Sequence, residues 1–263
     1  MRCGVGYSAC VASRDDWQRR LGPLYGGAVA LVHSTPWRWP VEVGADPRAA
    51  GWLVVLGVPV GAAAWLVATL VRAAGLPVGI AALFGLAALS AASAALVERG
   101  LAERVDHWDR RWHGPGEVRG PGIAALLVIV FSTLVRAAAI SMLPPTRWLA
   151  VLVATAVIGR WAAMFLQALG DPIATDDTAV DARRRSLVAA PAPAWLVAAI
   201  SLAVAVLAVV ALGKAGVLAL ALAALAAFGL GIEAQRRDGA LSAPVVGAVA
   251  AIGELLVLLI AVI

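Results

Sequence analysis

Charged residues are scarce in this chain. Of its 263 residues only 14% are Asp, Glu, Lys or Arg, while 62% are hydrophobic and the mean hydropathy is +0.90. A soluble domain carries about 25% charged and 45–50% apolar residues, so the composition excludes an ordinary soluble protein. A membrane-spanning helix needs roughly 20 apolar residues. Runs of that length use up nearly the whole chain and leave no room for a separate soluble domain.

Cysteine is also rare, and its rarity excludes two classes of protein. The two cysteines, Cys3 and Cys10, lie near the N-terminus with no histidine close by. They supply neither a zinc ligand set nor a disulfide framework. The first twenty residues lack the apolar core of a signal peptide. We therefore expect a disordered tail over 1–20 and a single integral-membrane domain over 21–263.

Long apolar stretches are what the chain does have. A short one at 28–32 is followed by Trp37 and Trp39, which is typical of an interfacial or re-entrant segment. The longer ones predict an all-α, polytopic membrane helix bundle with about seven transmembrane helices. The seven predicted spans are 49–71, 75–97, 122–143, 148–169, 187–212, 215–232 and 244–263.

The basic residues predict the topology. If the N-terminus is cytoplasmic, 16 of the 21 Lys and Arg residues fall in inner segments, and only Arg72, Arg147 and Lys214 fall in outer turns. Because basic loops stay on the cytoplasmic side, we expect a multi-pass protein of the cell inner membrane. This distribution explains the net charge of +5 without nucleic acid as a partner. Every acid except Glu254 lies on the same side, so we expect the active face to be cytoplasmic.

One polar stretch, 98–121, concentrates side chains that can do chemistry. It holds five acids, five arginines and two of the three histidines. Glu98, Glu103, Asp106 and Asp109 supply the oxygen ligands that Mg²⁺ takes together with substrate phosphates. If the preceding helix continues into the stretch, Glu103 and Asp106 share one face. In the alternative interpretation, the acids form a solvated charge run paired with the neighbouring arginines, Arg99, Arg104, Arg110 and Arg111.

Three ionisable residues lie inside predicted spans, where charge is costly and is usually functional. Arg160 suits a phosphate or a carboxylate, because its planar fork matches both. Glu254 is its natural partner or an acid of the site. The alternative for this pair is a structural ion pair that locks two helices together. Arg136 lies nearer the outer end of its span, and we expect it to snorkel.

The order of motifs along the chain carries a family resemblance. Residues 94–107, AALVERGLAERVDH, are similar to the motif Gly-Gly-Leu-His-Leu-Asp-Gly-Leu-Ala-Asp-Thr-Ala-Asp-Gly. Gly100 to Ala102 and Asp106 match it, Glu103 replaces an aspartate conservatively, and Arg99 stands where another aspartate is expected. Further matches are Gly159, Arg160 and Trp161 in VIGRWAAMFLQALGDPIA, and Gly247, Ala248 and Glu254 in GALSAPVVGAVAAIGELLVLL.

From about Leu24 to its last residue the chain resembles the cobalamin 5'-phosphate synthases, the adenosylcobinamide-GDP ribazoletransferases. The resemblance implies a Mg²⁺-dependent transfer of the adenosylcobinamide phosphate group to α-ribazole or its 5'-phosphate, with release of GMP. It implies that Glu103, Asp106 and Arg160 are catalytic and that Glu254 and Arg119 bind substrate or cofactor. The implied metal ligands are Glu98, Glu103, Asp106 and Asp109.

The implied partners are these two substrates and the lipid bilayer, with a homo-oligomer or other corrinoid-pathway enzymes as further ones. A non-catalytic relative, acting as a membrane scaffold or corrinoid-binding subunit, is the alternative. A transporter is disfavoured, because its polar groups would be spread through the spans at the midplane, whereas here they collect on one side.

Overall fold

The computed structural model describes residues 14–35, 46–113, 122–170 and 191–263. Six of the helices in these ranges are long and apolar enough to cross a membrane, or seven if one bent pair counts as a span. The prediction of an all-helical, polytopic membrane protein is thereby confirmed. The helices are α1 (Arg14–Leu21), α2 (Tyr25–Ser34), α3 (Ala49–Ala73), α4 (Val78–Ala92), α5 (Leu96–His113), α6 (Ile123–Met142), α7 (Trp148–Leu169), α8 (Ala194–Leu212), α9 (Lys214–Asp238) and α10 (Ala243–Val262).

The bend between α4 and α5 is the largest departure from prediction. A single span over 75–97 was wrong: α4 ends at Ala92, and α5 begins at Leu96 at 85° to it. Ala94 and Ala95 make the turn, with φ of 52° and 54° in the left-handed region. The polar stretch that begins at Glu98 is helical as far as His113, so Glu103 and Asp106 do share one face of a helix.

Amphipathicity explains why this polar stretch folds as a helix. Val97, Leu101 and Val105 are buried, while Arg99 and Arg110 are exposed. Apolar residues at a spacing of four form one stripe on a helix, and α5 packs this stripe against α10. The helix therefore lies against the end of the bundle with a polar side left outward.

Small residues bring the central helices together. Gly57 and Gly61 of α3 face the backbone of Val157 and Val153 of α7, and a Cβ at Gly61 would lie 2.6 Å from the Cα of Val153. Small residues in membrane helices allow this close approach of two backbones. Most residues of α7 and of α10 are buried, so these two helices form the centre of the bundle.

The ends of the other helices differ from the predicted ends by smaller amounts. Helix α9 continues to Asp238 rather than ending at residue 232, since Glu, Ala, Gln and Arg are good helix formers. It stops where Gly239 adopts a φ of 81°. Helix α8 begins at Ala194, and residues 171–190, which hold a predicted polar loop, lie outside the described residues. Helix α1 begins at Arg14, inside the segment predicted as a tail.

Candidate functional site

Buried charges form a cluster at the bend between α4 and α5, which we call the interior network. It consists of Glu98, Arg136, Arg160 and Glu254 with the hydroxyls of Ser90 and Ser93. The Nη1 atom of Arg136 lies 3.2 Å from Glu254 Oε2 and 3.9 Å from Glu98 Oε1. Arg136 is 4% exposed. The prediction that Arg136 snorkels is therefore wrong, because two carboxylates compensate its charge inside the bundle.

Arg160 takes part in the same network through neutral acceptors. Its guanidinium donates to Ala156 O at 2.8 Å and to Ser93 Oγ at 2.6 Å. Glu254 Oε1 lies 3.8 Å from its Nη1, which is an ion-pair distance but too long for a hydrogen bond. The predicted pairing of Arg160 with Glu254 is thus present, and Arg136 makes the closer contact with that carboxylate.

Glu98 points into the bundle, away from the other acids of its stretch. It accepts a hydrogen bond from Ser90 Oγ and lies beside Arg136. Asp106 stands eight residues further on, about 12 Å along the helix axis. The bend at residues 94–95 turns the first turn of α5 back toward α4, which explains the orientation. The structure does not bring Glu98 together with Asp106 and Asp109.

Asp106 and Asp109 meet at the start of α6. Asp106 Oδ1 accepts a hydrogen bond from Gly122 N at 2.8 Å. A Cβ at Gly122 would lie 3.0 Å from Asp106 Oδ1 and 3.7 Å from Asp109 Oδ2, so both carboxylates reach the same point. The positive end of the α6 dipole favours negative charge there. Glu103 lies one turn before Asp106 on the same side of α5.

A second set of charges, the rim network, joins α5 to the end of α9. Arg104 is 2% exposed and bonds to Glu233 Oε2 at 2.8 Å and to Asp238 Oδ2 at 2.7 Å. Trp108 Nε1 donates to Glu233 Oε1 at 2.9 Å, and His107 Nε2 lies 3.2 Å from Asp238 Oδ1. Arg104 therefore neutralises acids of α9 rather than acids of its own helix. For this arginine the alternative of a self-paired charge run is wrong.

The acids of α5 fit Mg²⁺ in one of its two common modes of binding. Within the described ranges no group of three or more His, Cys, Asp and Glu side chains is placed to hold a metal ion. Mg²⁺, however, is commonly held by one or two carboxylates together with substrate phosphates and water. Asp106 and Asp109 fit that mode of binding. Arg119 lies outside the described residues, and its predicted binding role stays a prediction.

A small cavity lies beside the interior network, and four polar residues contribute to a lining that is otherwise apolar. Its volume is about 30 Å³, and its polar residues are Ser34, Ser93, Arg160 and Gln167. Gln167 is 3% exposed, and its Oε1 atom has no hydrogen-bond partner among the described residues. A glutamine near the end of an apolar span was the available signal. Seven residues after Arg160, it lies on the same side of α7.

Comparisons with known proteins give the family of the chain. A family model described as cobalamin-5-phosphate synthase matches residues 28–262, which is nearly the whole chain. Comparison with curated proteins and with solved structures gave no match. The matched range includes every helix from α3 to α10, the acids of α5 and the three buried arginines, Arg104, Arg136 and Arg160. This multi-pass helical chain belongs to the cobalamin-5-phosphate synthase family of cobalamin biosynthesis.

Proposed function

We propose that this protein is an adenosylcobinamide-GDP ribazoletransferase that acts late in cobalamin synthesis. It transfers the adenosylcobinamide phosphate group to α-ribazole or its 5'-phosphate and releases GMP. Family membership supports the pathway. The observation that supports the transfer itself is the meeting of Asp106 and Asp109 at the N-terminus of α6.

The acids of α5 have distinct proposed roles. Asp106 and Asp109 would hold Mg²⁺, which when bound neutralises negative charge on a diphosphate. Glu103, on the same side of the helix, accepts the proton of the attacking ribazole hydroxyl. The new bond forms between that oxygen and the phosphorus attached to cobinamide. The bond to GMP breaks, and GMP leaves with its electron pair.

We further propose that these acids face the cytoplasm. The distribution of arginine supports a cytoplasmic N-terminus. By the same count, the ends of α7 and α9 and the starts of α6 and α10 lie on the cytoplasmic side. Both substrates would then reach α5 from the cytoplasm, and the cell inner membrane is the expected location.

One observation favours the second candidate, a non-catalytic relative that binds corrinoids or their enzymes. Arg99 lies four residues before Glu103 on the outward side of α5 and is exposed. An aspartate stands at this position in the family motif. A positive charge repels a divalent cation nearby, so Arg99 disfavours Mg²⁺ at the N-terminal part of this side.

Complementation decides between the two functions. The gene is expressed in cells that lack the synthase, the cells are given cobinamide and dimethylbenzimidazole, and cobalamin is measured. Wild type and the control Asp46→Asn, which changes an acid that accepts a hydrogen bond from the backbone N–H of Arg48, should restore cobalamin. Asp106→Asn should abolish it at equal protein level.

Failure of well-expressed wild type to restore cobalamin would eliminate the transferase proposal. In that case the purified protein in detergent should still bind the corrinoid substrate if the second candidate is correct. Restoration by Asp106→Asn at the wild-type level would instead remove Asp106 from the proposed site.

A further inference from the structure

Gln167 is a buried polar side chain whose Oε1 atom has no hydrogen-bond partner in the part of the chain that the structure describes. It lies two residues before the end of α7, is 3% exposed and lines the cavity. A buried amide oxygen without a partner is costly, so such groups usually find a partner in bound water or a ligand. Its amide offers both a donor and an acceptor. The side chain therefore indicates that the cavity is occupied by something polar.

The charge of Arg160 indicates the sign of that occupant. This arginine also lines the cavity, and its two hydrogen bonds go to neutral oxygens, those of Ala156 and Ser93. The carboxylate of Glu254 is hydrogen-bonded to Arg136 and lies 3.8 Å from Arg160 Nη1, so it is an ion-pair partner of Arg160 but accepts no hydrogen bond from it. A guanidinium has five N–H donors, so several remain for a further acceptor. An anion bound in the cavity would accept hydrogen bonds from these remaining donors.

Two helix starts add to the positive potential. Helix α5 begins at Leu96 and α10 at Ala243, and both residues line the cavity. The N-terminus of a helix carries partial positive charge and unbonded N–H groups. A cation would therefore be repelled. An apolar molecule would leave the Gln167 amide without a partner.

The size of the cavity limits the ligand to one small group. A volume of 30 Å³ holds on the order of two water molecules, which corresponds to the outer oxygens of one tetrahedral anion. Arginine, serine and helix N-termini are characteristic partners of phosphate. Near neutral pH a phosphate monoester also exists partly with one hydroxyl, and that hydroxyl can donate to Gln167 Oε1.

We propose that the cavity among Ser34, Arg160 and Gln167 binds a phosphate monoester group. This site is separate from the acids of α5, since Asp106 lies ten residues, about 15 Å, beyond Leu96. The inference does not depend on the proposed transfer reaction. The group can come from a soluble phosphate compound or from the headgroup of phosphatidic acid.

Binding of inorganic phosphate tests the site. The protein in a neutral detergent is titrated with phosphate at constant ionic strength, and its unfolding temperature is followed, with chloride as the reference anion. Wild type should show a saturable rise in unfolding temperature. Gln167→Leu keeps the volume and removes the amide, and it should weaken the phosphate Kd by about tenfold or more.

Gln235→Leu is the matched control. Gln235 is exposed at the end of α9 and lies outside this cavity, so its loss should leave the phosphate Kd unchanged. If Gln167→Leu does not yield folded protein by size-exclusion chromatography, Gln167→Glu serves instead. It retains the volume and should abolish phosphate binding through its negative charge.

Nanodiscs distinguish the two sources of the group. If the lipid occupies the site, nanodiscs containing phosphatidic acid should stabilise wild type relative to phosphatidylcholine alone, and added phosphate should have no further effect. If a soluble compound occupies it, phosphate should stabilise the protein equally in both lipids. The proposal is overturned if neither phosphate nor phosphatidic acid stabilises wild type. It is also overturned if wild type and the Gln167 variant respond alike.

Discussion

The two ends of α5 are both held by buried arginines, but they use them differently. At the N-terminal end, Arg136 and Arg160 share a carboxylate that is 0% exposed, that of Glu254. At the C-terminal end, Arg104 binds Glu233 and Asp238, whose side chains are 19% and 15% exposed. In the first network the shared carboxylate lies wholly inside the bundle, although the Glu98 side chain is 19% exposed at its edge. The second lies at its rim, where water reaches the acids.

The two ends of α5 have different roles: one fixes the position of the helix, and the other carries the acids of the proposed site. A buried ion pair contributes little net stability but is costly to break, because removing one partner leaves an uncompensated charge. The interior network therefore fixes the bend and the direction of α5. The outward acids near the rim end, Glu103, Asp106 and Asp109, have the access that a phosphate substrate needs. The position of an acid along α5 thus decides whether it has a structural role or belongs to the proposed site.

Arg136→Leu should have the largest effect on stability. It leaves Glu254 and Glu98 with one fewer cation inside the bundle, and loss of one partner of a buried pair costs about 3–5 kcal/mol. The double variant Arg136→Leu with Glu254→Leu removes opposite charges together, so most of this loss should be recovered. The free energy of unfolding in mixed micelles measures both.

Arg147→Leu is the control for this comparison. Arg147 is exposed in the turn before α7, and its loss should change the free energy of unfolding by no more than about 0.5 kcal/mol. Equal losses in the single and the double variant would show that Arg136 acts through packing rather than charge.

Gly100→Ala should disrupt the crossing of α5 and α10 between the two networks. A Cβ at the facing Gly247 would lie 2.7 Å from the Cα of Gly100, so the backbones are in contact and cannot yield locally. Overpacking of this kind costs about 1–3 kcal/mol. Gly229→Ala in α9 meets nothing within 4 Å, so it should be neutral or stabilise the helix by up to about 1 kcal/mol. Thermal unfolding of the two variants tests the crossing, and an equal response would contradict it.

Arg104→Leu should cost less than Arg136→Leu. It removes two hydrogen bonds to charged groups and the contact of the guanidinium with the Trp108 ring, 5.4 Å from the ring centre. Water can hydrate Glu233 and Asp238 after the change, so we expect a loss of about 1–3 kcal/mol. Added salt should reduce the difference in the free energy of unfolding between Arg104→Leu and wild type, because it screens the ion pairs of the rim network. A loss as large as that of Arg136→Leu, or one insensitive to salt, would contradict the distinction between the two ends.

The sequence predicted the spans because their signal is local. About twenty apolar residues in a row describe a spanning helix without reference to neighbours. It did not predict the closer partner of Glu254, since Arg136 and Glu254 are 118 positions apart and only helix packing brings them together. The partners of Arg104 were missed for the same reason. Gln167 carries no motif, and its importance depends on a cavity formed by five helices and the α4–α5 bend.

The bend at residues 94–95 was not predicted, because alanine at these positions favours a continuous helix. The alanines Ala94 and Ala95 adopt left-handed φ values and occupy the two positions where the family motif carries Gly-Gly. A left-handed alanine costs roughly 1–2 kcal/mol, partly offset in comparison with glycine by the greater freedom of unfolded glycine. Ala94→Gly and Ala95→Gly should therefore each stabilise the protein by up to about 1 kcal/mol.

Ala88→Gly is the matched control, since Ala88 lies inside α4, where glycine should destabilise by about 0.5–1 kcal/mol. Opposite signs at positions 88 and 94, measured as shifts in unfolding temperature, would establish that backbone strain is stored at the bend. Destabilisation by glycine at all three positions would mean that the bend does not carry this strain. The interior network would then hold α5 in place without having to overcome backbone strain. The two ends of α5 would differ only in their access to water.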